Sequence, residues 1–179
     1  MPVRKHELPS GLPEPGSRLV RTRNRRSGET RPTPRLYAGA NGLFLYAANA
    51  DSPLHAKAKT FFADCTAGDR EFVICGLVLV ETYMQLRNPA VLRKPLTASK
   101  AAAFCHQLRA NPKWQHIDFD PAVSSALWRW ARSTKAGFRQ IIDARLALTL
   151  PHHGVDQFAT ANVKHFQGFG FAKVWNPCA

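Results

Sequence analysis

Two acidic residues stand among apolar neighbours in a chain that is otherwise short of acids. Glu81 lies in the run Leu77-Val78-Leu79-Val80-Glu81-Thr82-Tyr83-Met84, and Asp143 lies in Ile141-Ile142-Asp143-Ala144-Arg145-Leu146-Ala147-Leu148. The 179 residues hold 12 Asp and Glu against 25 Lys and Arg. Removing an unpaired carboxylate from water is costly, and the cost is met by an ion pair, by protonation or by a bound cation. Two carboxylates that share a site can hold a divalent metal, which activates water for hydrolysis.

On a helix, Leu77, Val80, Glu81 and Met84 share one face through their i, i+3, i+4, i+7 spacing, so Glu81 is expected to point with apolar residues. A structural pairing with Arg87 or Arg145 explains it as well as a metal does. Asp143 shares a face with Leu146, Ala147 and Leu150 and falls in the first turn of its helix. An acid there is favoured by the helix dipole, and a metal-binding acid fits the same place. Asp51, Asp64, Asp69, Glu71, Asp118, Asp120 and Asp156 sit beside turn residues or at element ends, where solvated turn and cap roles are expected. His152 and His153 follow Pro151 at a helix end, whereas His165 lies in Thr160-Ala161-Asn162-Val163-Lys164-His165-Phe166, just after a strand. Trp128 is expected at the margin of a stripe formed by Val123, Ala126, Leu127 and Trp130, partly buried in the same core. No phosphate-binding glycine loop, GxSxG elbow or Cys-His nucleophile pattern occurs. Cys65, Cys75, Cys105 and Cys178 match no zinc spacing and read as free thiols. Metal-assisted hydrolysis by carboxylates is the enzyme chemistry that survives.

The elements that must position these residues alternate. Residues 1–35 read as a disordered extension rich in Pro, Gly, Ser and Arg, with Arg18, Arg21, Arg23, Arg25, Arg26, Arg31 and Arg35 toward its end. From Leu36 to the C-terminus the pattern is that of one α/β domain. Strands are expected at Leu43–Ala47, Phe72–Cys75, His116–Phe119, Val155–Ala159 and Phe171–Val174. Helices are expected from Pro53 to Cys65, from Leu77 to Asn88, from a Thr97 cap to about Ala110, from Pro121 to Thr134 and from Gln140 to Leu150, with a short helical piece at Asn162 to Phe166. This order predicts a short, mainly parallel sheet between helices, with ligands beyond the carboxyl ends of the strands. A net charge of +13 suits a nucleic-acid partner. No apolar stretch approaches the ~20 residues of a membrane span and no secretory h-region opens the chain, so a cytoplasmic location is expected.

Four segments together make the chain recognisable. They are Ala40-Asn41-Gly42-Leu43-Phe44-Leu45-Tyr46-Ala47 with Asp51-Ser52-Pro53; Leu79-Val80-Glu81 with Leu86-Arg87-Asn88-Pro89; Ile142-Asp143-Ala144-Arg145-Leu146-Ala147; and Thr160 to Phe166 with Val174-Trp175-Asn176-Pro177. In this order they resemble the PIN-domain family and, within it, the VapC ribonuclease toxins of toxin–antitoxin systems. The resemblance implies a PIN-like three-layer α/β sandwich over residues 36–179 and a ring of acids holding Mg²⁺ or Mn²⁺. It also implies endonucleolytic hydrolysis of RNA phosphodiesters, a homodimer, and a cognate VapB-like antitoxin. Glu81 matches the second acid of the ring and Asp143 the third. The first acid stands two residues before Asn41, where this chain has Gly39, and the acid before the last Phe is replaced by His165. Asn41, Thr160, Asn162 and His165 are supporting candidates. With two acids replaced, impaired activity is expected, and returning Asp to positions 39 and 165 is expected to raise it. The alternative is a non-catalytic PIN-fold module that binds antitoxin or RNA.

Overall fold

The computed structural model describes residues 36–68, 71–133 and 137–179, so the extension expected over 1–35 lies outside the described residues. Five strands form one all-parallel sheet: β1 (Leu36–Gly39), β2 (Phe72–Cys75), β3 (Trp114–Ile117), β4 (Val155–Ala159) and β5 (Lys173–Trp175), in the order β3-β2-β1-β4-β5. The connections carry α1 (Asn41–Ala48), α2 (His55–Ala67), α3 (Gly76–Leu86), α4 (Ala98–Arg109), a 3₁₀ turn at Pro121–Val123, α5 (Ser124–Ser133), α6 (Gln140–His152) and α7 (Val163–Phe166). This is the expected parallel sheet between helices. Among the described residues no helix is long and apolar enough to cross a membrane.

The first strand is the main correction. Leu43–Ala47, expected as a strand, belongs to α1, and β1 precedes it at Leu36–Gly39. A short apolar run fits a buried strand and a buried helix equally well. Here the consecutive residues Leu43 and Phe44 are both fully buried, in separate core clusters, so the helix is covered on more than one side. β4 spans Val155–Ala159 as expected, whereas the last strand is Lys173–Trp175 rather than Phe171–Val174. Thr97 caps α4 as its position suggests, accepting the Lys100 amide at 3.3 Å.

Aromatic residues fill the core. Phe44 stacks on Phe62 with ring centroids 4.4 Å apart, and Phe72 lies 4.7 Å from Trp114. Phe158 of β4 packs edge-on against Phe166 at 4.7 Å, which ties α7 to the sheet. α3 turns a different face inward than its apolar pattern suggests. Val78, Thr82 and Leu86 are buried, whereas Val80 and Met84 are 57% and 62% exposed. Thr82 satisfies its buried hydroxyl by donating to the Val78 carbonyl at 2.7 Å. Trp128 on α5 is exposed rather than partly buried, because Val123 and Leu127 take the inward positions of that segment. Among the described residues the cysteines form no disulfide with one another.

Candidate metal centre

The chain runs from β1 outward to β2 and β3, then crosses back to place β4 on the other side of β1. That reversal opens a crevice at the carboxyl ends of β1 and β4, where ligands of open parallel sheets bind. Gly39 ends β1 and Ala159 ends β4, and the Ala40 amide donates to the Ala159 carbonyl at 3.0 Å. α1 starts directly above this junction. The Asn41 side-chain oxygen accepts the Gly42 amide at 2.8 Å, and a Cβ on Gly42 would stand 3.8 Å from Ala161. Thr160 is buried and its hydroxyl accepts the Asn162 amide at 3.1 Å, shaping the turn into α7 and leaving Asn162 exposed.

Asp143 comes to this end because α6 runs back toward β4 and its first turn lies at the carboxyl edge. Its Oδ2 is 3.0 Å from Nδ1 of His165 on α7. Both side chains reach solvent, at 31% and 46% exposure for Asp143 and His165, respectively. Glu81 approaches from α3. Burial pushes its carboxyl above the ordinary range, and the neighbouring Asp143 charge pushes it further in the same direction. The structure thus brings Glu81, Asp143 and His165 to one region from three helices.

Glu81 reaches this site for a different reason than its spacing indicates. The face shared with Val80 and Met84 is the outer face of α3, not its core face. Neither arginine considered for it is a partner. Arg87 donates to the Tyr83 hydroxyl at 2.9 Å, and Arg145 lies 4.5 Å over the Phe119 ring. Among the described residues no salt bridge involves Glu81.

A Cβ on Gly39 would lie 3.1 Å from the tip of Phe72 and 3.6 Å from Phe62, so a side chain would enter the aromatic core. Asp118 is the residue that sequence reasoning passed over. It directly follows β3, and a Cβ on Gly76 at the start of α3 would collide with its carboxylate. Its position just past a parallel strand was the available signal. His152 and His153 are engaged away from this region, with Asp120 at 3.3 Å and the Asp118 carbonyl at 3.1 Å, respectively. The Ala122 amide, and to a smaller degree His152, hold the Asp120 carboxyl below its usual range.

Among the described residues no group of three or more His, Cys, Asp or Glu side chains is placed to hold a metal ion. The donor chemistry still suits a divalent ion. The Asp143 charge disfavours the Glu81 charge, a cation would relieve that repulsion, and divalent ions of this kind commonly keep several waters and only one or two protein carboxylates.

No protein-family profile matches the chain. Over 135 residues it is 44% identical to Ribonuclease VapC24 of Mycobacterium tuberculosis, in strains CDC 1551 and H37Rv, covering 75% of this chain and 92% of that relative. The chain belongs to the VapC family of ribonucleases. Among solved structures it resembles M. tuberculosis VapC20, a sarcin-ricin loop cleaving toxin, with TM-score 0.59 and 18% identity over 76% of this chain and 96% of that one. It also resembles the Rickettsia felis VapBC2 structure bound to a promoter DNA fragment, with TM-score 0.55 and 14% identity over 79% of this chain and 98% of that one. At these identities the likeness to the structures is one of fold. The chain is therefore a homologue of VapC-type ribonuclease toxins on a PIN-like fold.

Proposed function

We propose that this chain is a metal-dependent endoribonuclease toxin whose working residues are Glu81 and Asp143, with activity lowered by Gly39 and His165. The observation that carries the reading is Asp143 in the first turn of α6, 3.0 Å from His165 on α7 and within electrostatic reach of Glu81 on α3. Mg²⁺ or Mn²⁺ held there would supply charge stabilisation at the phosphate and a more acidic water. Asp143 and Glu81 would bind the ion, Thr160 would hold the turn that presents Asn162 and His165, and Asn41 would fix the start of α1 beside it. The test is cleavage of RNA by the purified protein with each ion. Slow cleavage that disappears in Asp143→Asn is expected, a drop of at least about 100-fold if the acid holds the metal. Undiminished cleavage by that variant would sink the assignment.

A VapB-like antitoxin is the proposed partner. Support comes from an apolar groove of about 580 Å³ lined by Phe44, Phe62, Ala63, Phe104, Leu108 and Trp114, large enough for apolar side chains of a second protein. Exposed Val80 and Met84 support a homodimer through α3, and a cytoplasmic location accords with an RNA substrate. The second reading, a non-catalytic module that binds antitoxin or RNA, is favoured by the engagement of Asp143 with His165. Binding of the antitoxin encoded beside the gene, with no cleavage at any metal concentration, would support it.

A further inference from the structure

The Asp143–His165 contact has the dimensions of a ligand pair. Two donors at adjacent corners of a six-coordinate ion, each about 2.1 Å from it, stand about 3.0 Å apart. Asp143 Oδ2 and His165 Nδ1 are separated by 3.0 Å. Both are solvent-accessible, so an ion can enter between them without moving either helix. Glu81 adds a second carboxylate within electrostatic reach of Asp143. The direct donors are therefore one carboxylate and one imidazole, with the Glu81 charge near enough to strengthen the hold on a cation. Imidazole nitrogen suits Zn²⁺, Fe²⁺, Co²⁺ and Ni²⁺, whereas Mg²⁺ takes oxygen donors and gains little from it.

We propose that His165 is a metal ligand in this chain and tunes the site toward a borderline transition-metal ion and away from Mg²⁺. The inference deepens the metal-dependent reading above and rests on it. Its test is titration calorimetry of the full chain with CoCl₂ and MgCl₂, together with NMR of the histidine rings in the presence of Co²⁺. Co²⁺ should bind at least about 10-fold more tightly than Mg²⁺, and it should shift the His165 ring signals. His165→Ala should lose about 10-fold in Co²⁺ affinity and keep its Mg²⁺ affinity, while His165→Asp should lower the Co²⁺/Mg²⁺ preference about 10-fold. His165 is exposed, so circular dichroism should show both variants folded. The proposal is overturned if His165→Ala leaves Co²⁺ binding unchanged, or raises affinity for both ions as it would if the imidazole merely competed for Asp143. In either case Co²⁺ binding that is lost in Asp143→Asn keeps the metal reading alive. Co²⁺ binding indifferent to both Asp143→Asn and Glu81→Gln would remove that reading as well.

Discussion

Glu81 carries its charge against its surroundings. Burial and then Asp143 favour the neutral form, so the folded protein holds this proton to a higher pH than the unfolded chain does. Between the ordinary value near 4.5 and the raised folded value, the folded state therefore binds more protons, and stability falls as pH rises through that window. Glu81→Gln is neutral throughout. Its melting temperature should move upward relative to wild type as pH rises above about 4.5 and then keep a constant lead, as read by thermal scans from about pH 4 to about pH 8. A pH-independent gap would mean that Glu81 titrates normally. At position 39, packing opposes any new side chain. Phe72 is fully buried between Phe44, Phe62 and Trp114, so its ring has little room to yield to a new Cβ. Gly39→Ala should cost about 1–3 kcal/mol in urea unfolding, and Gly39→Asp more. The two acids were legible from residue types and neighbours. The direction in which position 39 points was not, because it depends on which face of a four-residue strand meets the aromatic core.

At the scale of elements, the pattern was read best where a local rule operates alone. Thr97 at the head of a helix-favouring stretch signalled a cap, and its hydroxyl does accept the Lys100 amide. Thr97→Ala should therefore destabilise the protein by about 1 kcal/mol and Thr97→Ser by much less, in equilibrium urea unfolding. Equal losses for the two would show that the hydroxyl is not the cap. α1 and α3 were harder for one reason. Both are apolar on more than one side, α1 because it is covered by two core clusters and α3 because Val80 and Met84 remain outside. Periodicity then gives no unique inner face, and only the packing of neighbouring elements decides. In α3 that packing buries Val78, Thr82 and Leu86, and the rotation it imposes is what brings Glu81 toward α6.

At the scale of the whole molecule, charge is divided unevenly. Residues 1–35 hold nine Lys and Arg against three acids, and residues 36–179 hold sixteen against nine. The match to the VapC24 relative covers 75% of this chain but 92% of that ribonuclease, so the ribonuclease body accounts for most of the matched length. Catalysis and non-specific RNA attraction should therefore separate. Each arginine that neutralises a phosphate of single-stranded RNA adds about 0.7 to the steepness of log affinity against log salt. Replacing Arg18, Arg21, Arg23, Arg25, Arg26, Arg31 and Arg35 by Gln should flatten that slope, by at most about 5 if all seven touch phosphate. Fluorescence anisotropy of a labelled RNA across a salt series measures the slope directly. Cleavage at saturating RNA should stay within about 2-fold of wild type, because the acids proposed to bind the metal are untouched. Loss of cleavage at saturation would place the basic extension in the catalytic body itself, and an unchanged slope would show that residues 36–179 carry the RNA contacts alone.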